Sequence, residues 1–150
     1  MIVKEGPASH SPFKLESLLI RLQSHDNNIA GLGARFIHLI DAENELSEDQ
    51  DQILCSILDY GPNWSFGAVE GFKIFSLPRF GTISPWSSKA TDIAKVCGLD
   101  SVKRIERGIA FTIQLKDHNL EPKKEAIDLL YDRMTELVIS ELSQANEIFV

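Results

Sequence analysis

The stretch Val102-Lys103-Arg104-Ile105-Glu106-Arg107-Gly108-Ile109-Ala110-Phe111-Thr112-Ile113-Gln114-Leu115 carries the strongest strand signal in the chain. Ile109, Phe111, Ile113 and Leu115 alternate with Ala110, Thr112 and Gln114, and a period of two is what a strand with one buried face requires. Gly108 predicts a bulge that bends this strand. Helical periodicity flanks it on both sides. Ala90, Ile93, Ala94 and Cys97 repeat at i, i+3, i+4, i+7, with Gly98 as a stop. Cys97 lies on that apolar face and is expected to be a buried structural thiol. Downstream, Pro122 opens a last helix, with Ile127, Leu130, Tyr131, Met134, Leu137 and Val138 expected to face inward.

The earlier half has the same order. Ile2–Glu5 predicts a short edge strand. Ser11-Pro12 predicts a helix cap and first turn, and Leu15, Leu18, Leu19 and Leu22 supply one apolar face. Asn27-Asn28 and a turn at Gly31-Leu32-Gly33 are expected to end that helix before a strand over Arg35–Ile40. Ser47 and Gln50 form a capping box, and Ile53, Leu54, Ile57 and Leu58 predict the buried stripe of a helix that Gly61-Pro62 stops. Phe72–Leu77 predicts the next strand. The fold expected is α+β: two pseudo-repeated βαβα halves dividing near Gly61–Gly71, helices packed on mainly antiparallel sheet. Residues 1–150 are expected to form one domain, with 141–150 either a fraying helix end or the start of a linker.

Composition narrows the function. The 150 residues carry 43% hydrophobic and 25% charged side chains and a net charge of −7, an ordinary globular balance and a poor basis for binding nucleic acid. There is no apolar run long enough to span a membrane and no signal-peptide core at Met1–Pro7. Cys55 and Cys97 make no C-x-x-C pair, so a cytoplasmic location with both thiols reduced is expected. The charge is uneven. Asp41–Tyr60 holds seven acids and no Lys or Arg, whereas Arg79–Arg107 nets +3. The second stretch could attract an acidic partner or an anion. The alternative is two ordinary solvated faces.

Catalytic signatures are absent: no phosphate-binding G-x-x-x-x-G-K-[ST], no H-E-x-x-H, no G-x-S-x-G, and no metal-ligand spacing among His10, His25, His38 and His118. His38 reads as a residue at the edge of the core. One segment stands out, Arg79-Phe80-Gly81-Thr82-Ile83-Ser84-Pro85-Trp86-Ser87-Ser88-Lys89-Ala90-Thr91-Asp92-Ile93-Ala94. It runs from a strand end through a loop into a helix. Ser87 and Ser88 are expected to cap that helix, and its free N–H groups with Lys89 and Arg79 would suit an anion. Trp86 is either an exposed anchor for a partner or a core residue.

Residues 81–94 of this segment closely resemble the signature of the N-terminal domain of the long single-chain phosphoribosylformylglycinamidine synthases. Cys97-Gly98-Leu99, Arg104-Ile105-Glu106-Arg107-Gly108, Tyr60-Gly61-Pro62 and Asp132-Arg133-Met134-Thr135-Glu136 are similar to the same family and stand in its order. The resemblance is weakest over Gly6–Gly33 and after Ser140. It implies the first part of an amidoligase of purine biosynthesis, which converts formylglycinamide ribonucleotide to the amidine with ATP, magnesium and glutamine. The family's ATP, metal and glutaminase sites lie in other domains, so the resemblance implies no catalytic residue and no cofactor here. It also implies a domain like a dimer of the small subunit of multi-subunit enzymes, docked on the synthetase domain of its own parent chain. On that reading Arg79, Thr82, Ser84, Trp86, Ser87, Ser88, Lys89 and Asp92, with an Arg104–Arg107 turn, are candidates for the interface or for contact with a phosphate. A free-standing interaction module is the other alternative.

Overall fold

A computed structural model describes residues 1–149. The elements run β1 (Ile2–Ala8), α1 (Pro12–His25), β2 (Ile29–Ala42), α2 (Glu48–Ile57), β3 (Phe72–Pro78), α3 (Pro85–Val96), β4 (Val102–Leu115), α4 (Lys124–Ile127), β5 (Glu136–Ile139) and a 3₁₀ helix, Leu142–Phe149. The five strands form one sheet of order β1-β2-β4-β3-β5, and every neighbouring pair is antiparallel. The class is α+β. Among the described residues no helix is long and apolar enough to cross a membrane.

Two long central strands organise the sheet. β2 and β4 each span 14 residues and pair from Ile29↔Leu115 to Ala42↔Val102. On one face, two apolar clusters lie under the helices. Leu32, Ala34, Phe111 and Ile113 pack with Leu15 and Leu22 of α1 and Ala126 of α4. Ile40 and Ile105 pack with Leu54 of α2 and Ala90 and Ala94 of α3. The other face, Ile37, Leu39, Phe75 and Leu77, is covered in part by Ala145 and Ile148 of the 3₁₀ helix. Both strand–helix–strand crossings, β1-α1-β2 and β3-α3-β4, begin their helix with a serine cap and then a proline, at Ser11-Pro12 and Ser84-Pro85. Proline suits this position because it lacks the N–H that would go unbonded there.

Several expectations are corrected. Gly31-Leu32-Gly33 is no turn: it lies within β2, and the helix ends earlier, at Asp26, whose N–H donates to Leu22. The expected last helix stops after one turn. Asp132 accepts the Met134 N–H through Oδ1, a local bond that competes with helix, and Glu136–Ile139 instead pair with the edge of β3. Met134 is 84% exposed, and the order βαβα recurs in β3-α3-β4-α4 with the last helix reduced to four residues. Cys97 is exposed at the end of α3, and Ile53 lies on the exposed shoulder of α2. In the segment after Ser140, Leu142–Phe149 form the 3₁₀ helix and bury Ala145 and Ile148; Val150 lies outside the described residues.

Gly108 marks no bulge, because the β2–β4 register runs through it unbroken. Its constraint is proximity. A Cβ there would lie 2.4 Å from Leu77 Cδ2 and 2.6 Å from the Ser76 carbonyl oxygen. The oxygen belongs to backbone and cannot rotate away. Gly108→Ala is expected to lower stability by about 2 kcal/mol through overpacking, read as a lower urea midpoint at unchanged slope.

Candidate functional site

β3 reaches only part of β4. Its pairing runs from Phe72↔Ile113 to Ser76↔Ile109, so among the described residues β4 from Val102 to Gly108 has no strand on that side. A buried, unpaired backbone group is costly, and α3 supplies partners for the fully buried Ile105. The buried Ser87 donates its hydroxyl to the Ile105 carbonyl at 2.5 Å, and Thr91 Oγ1 accepts the Ile105 N–H at 3.0 Å. Four residues apart, the two hydroxyls lie on one helix face.

The cap of α3 is Ser84, not Ser87 or Ser88. Its Oγ accepts the Ser87 N–H at 3.1 Å and donates to Glu106 Oε1 at 3.1 Å. Ser88 is exposed, with its N–H on the Ser84 carbonyl. Ser87 cannot serve as cap because its hydroxyl points inward to β4. Glu106 is fully buried and pairs with Arg104. Arg104 also donates to the carbonyls of Thr82 (2.7 Å) and Ile148 (2.8 Å). Thr82 Oγ1 donates to the Arg79 carbonyl at 2.7 Å. Arg79 itself turns toward the Arg133 carbonyl, with Nε at 3.1 Å. The structure thus directs Arg79 away from the start of α3, and Lys89 and Asp92 stand exposed on the helix.

Arg104 and Arg107 do not form a turn. Both lie in β4, and because strand side chains alternate they leave opposite faces of the sheet. Arg107 enters the helix-covered face between the two apolar clusters. Its guanidinium sits 4.2 Å from the Phe36 ring centroid and 4.6 Å from that of Trp86, a stacking that suits a planar, weakly hydrated cation. Its Nη1 donates to Tyr60 Oη at 3.3 Å, and Tyr60 Oη lies 2.7 Å from His38 Nε2. Arginine can only donate, so Tyr60 Oη accepts from it, and the direction of the Tyr60–His38 bond follows the tautomer of the imidazole. The His38 ring also stacks on Trp86, with centroids 5.6 Å apart. Trp86 is therefore half-buried, neither wholly core nor wholly exposed. The sequence offered Trp86 and Arg107 as candidates and Tyr60 only within the Tyr60-Gly61-Pro62 resemblance; it assigned Phe36 and His38 no part in the site.

Burial pushes the His38 pKa down to about 4; a backbone contact with Lys4 opposes the shift and the charge of Arg107 adds to it. Burial likewise raises Tyr60, against its bond from Arg107, so the hydroxyl keeps its proton at neutral pH. Beside this cluster a groove of about 220 Å³ opens between α2 and α3, lined by Ile57, Leu58, Tyr60, Trp86, Lys89, Ala90 and Ile93. A larger cleft of about 510 Å³ runs along β1 and the Tyr60–Phe66 loop. Two cations on its lining are neutralised, Lys4 by Asp51 (2.8 Å) and Arg35 by Glu5 (2.6 Å). Among the described residues no group of three or more His, Cys, Asp or Glu side chains is placed to hold a metal ion.

These contacts make two tests available. Thr91→Val keeps the side-chain shape but strands the Ile105 N–H, and should cost about 1–3 kcal/mol in denaturant unfolding. The second test concerns pH. His38 titrates lower in the folded chain than its ordinary 6.5, so the unfolded chain takes the proton first. Its contribution is complete above pH 6.5 and is lost as pH falls toward 4, on the order of 3 kcal/mol in all. Burial also lowers His10, which acts in the same direction. A His38→Gln chain, compared with the parent across pH 4–6.5, should show a shallower loss of stability.

The signature segment is thus built into the sheet through Ser84, Ser87 and Thr91 and leaves Lys89 and Ile93 beside an open groove. The chain matches the family model described as formylglycinamide ribonucleotide amidotransferase N-terminal over residues 35–149, a span that includes β4, α3 and every residue of the Arg107 cluster. This protein belongs to the family of N-terminal domains of formylglycinamide ribonucleotide amidotransferase.

Proposed function

We propose that this chain is the non-catalytic docking domain of its amidotransferase and that the face formed by α2 and α3 is its contact with the synthetase domain. The observation that carries the reading is the division of labour along residues 81–96. Ser84, Ser87 and Thr91 are spent on bonds inside the fold, while Ile83, Ile93 and Val96 are 62%, 46% and 87% exposed. Ile93 and Val96, three residues apart on α3, with Ile93 lining the apolar groove and Ile83 exposed in the loop before the helix, suit a partner surface. Lys89 on the groove wall would match a carboxylate at the rim. Trp86 serves as the fixed floor, held by His38 and Arg107.

On this reading ATP, magnesium and glutamine-derived ammonia are handled by other domains of the enzyme, in the cytoplasm. This chain's own residues supply shape, an apolar contact and one cation. A phosphate at the start of α3 is the weaker reading, since Arg79 is committed to the Arg133 carbonyl and Ser84 already accepts the Ser87 N–H.

The test is titration calorimetry of this chain against an amidotransferase lacking the corresponding region. Ile93→Asp should weaken binding by about 30-fold, roughly 2 kcal/mol. Its thermal stability should change little because the side chain is partly exposed. Unchanged affinity in Ile93→Asp and Val96→Asp would remove this face as the contact. Saturable binding of inorganic phosphate by the isolated chain, lost in Lys89→Ala, would favour the phosphate reading.

A further inference from the structure

Arg104 joins three parts of the chain that are distant in sequence. Nη1 donates to the Ile148 carbonyl in the 3₁₀ helix at 2.8 Å. Nη2 donates to the Thr82 carbonyl in the loop before α3 at 2.7 Å, and it pairs with Glu106. Glu106 is 0% exposed, and a buried carboxylate left without its partner is strongly disfavoured. Its other oxygen accepts from Ser84 Oγ, the group that caps α3. A continuous polar path therefore runs from Ile148 through Arg104 and Glu106 to the first turn of α3.

The 3₁₀ helix is seated by packing as well. Ala145 and Ile148 are 0% and 1% exposed and lie in the cluster with Ile37, Leu39, Phe75 and Leu77. The Arg104 guanidinium also lies 5.5 Å from the Phe149 ring centroid. Seating this segment thus covers Arg104 and provides one of its acceptors. If it lifts, Arg104 loses the Ile148 carbonyl and gains access to water, where its hold on Glu106 is screened and weakened. Glu106 is then less firmly held in place, its bond to Ser84 no longer fixes the serine hydroxyl in its capping position, and the cap of α3 loosens.

We propose that residues 142–149 act as a latch on α3: seated, they hold the Ser84 cap closed through Arg104 and Glu106, and released, they free the first turn of α3. The coupling is between two segments on opposite sides of the sheet, and it is independent of which partner α3 meets. The latch is a two-position element of the kind through which a binding event on one face alters the other.

Amide hydrogen exchange on the whole chain tests it. Ile148→Asp places a charge in the apolar seat and releases the segment. The amides of Ser87 and Ser88 should then exchange at least tenfold faster, while those of Ile37–Ile40 in β2 keep their rates. Arg104→Lys retains a positive charge for Glu106 but offers one nitrogen where Nη1 and Nη2 separately hold the Ile148 and Thr82 carbonyls, and should give the same local acceleration. In the double variant the two effects should not add, because both cut one path. Unchanged exchange at Ser87 and Ser88 in Ile148→Asp would overturn the latch. So would an equal acceleration in β2, which would make the segment a general stabiliser, or full additivity in the double variant. Should Ile148→Asp fail to fold, Ile148→Ala carries the same comparison with a smaller expected acceleration.

Discussion

The unpaired edge of β4 is the constraint on which the site depends. β4 is longer than the β3 strand beside it, and the surplus, Val102–Gly108, includes the buried Ile105, whose outer backbone edge β3 does not complete. The fold satisfies this edge with a helix laid along it. Ser87 and Thr91, one turn apart on that helix, bond the carbonyl and N–H of the same residue, Ile105. A helix pinned in that way has a fixed rotation. Ala90 and Ala94 must then face the sheet, small enough for close approach, and Lys89 and Ile93 must face the groove with α2. The outward surface of α3 is thereby set by bonds made on its inner side.

A charged group occupies the middle of the helix-covered face, where an apolar residue would ordinarily sit. Arg107 lies between the cluster under α1 and α4 and the cluster under α2 and α3, stacked by Phe36 and Trp86 and bonded to Tyr60. The cost of partial desolvation is offset by aromatic faces and a hydroxyl rather than by a carboxylate. His38 stays neutral in this setting because burial and the nearby guanidinium both oppose its protonation. The arrangement draws the Tyr60 loop, β2, α3 and β4 together at one point, next to the open groove. A docking role fits this construction, since a rigid aromatic floor presents its rim in one geometry.

Much of the local structure was legible in the chain itself. Ser11-Pro12, the Ser47–Gln50 capping box, the alternation Ile109–Leu115 and the period Ala90-Ile93-Ala94 act within a few residues, and each specifies its element through local backbone bonds or a repeating face. The family was legible too, because residues 81–94 form a long unbroken motif. The misreadings share a cause. Gly31-Leu32-Gly33 looks like a turn but is held extended by pairing with Thr112–Gln114 across the sheet. The stretch after Pro122 has helical spacing, yet Leu137 and Val138 are claimed by the edge of β3. Gly108 looks like a bulge and is instead a point of close approach to Ser76 and Leu77.

For the site the division is sharper. Sequence by itself determined the class of fold and the family, and it offered Arg79, Ser84, Trp86, Ser87 and Lys89 within residues 79–94, with Arg104 and Arg107 beyond them, as candidates, because local motifs act between residues close together along the chain. Tertiary structure alone decided what each does. It turned Arg79 onto Arg133, placed Arg104 and Arg107 on opposite faces of β4, moved the helix cap from Ser87 to Ser84 and brought Phe36, His38 and Tyr60 to Trp86. The physical reason is that a side chain's partner is set by strand register and by which buried backbone groups remain unbonded. Both are properties of segments that meet only after the sheet has formed.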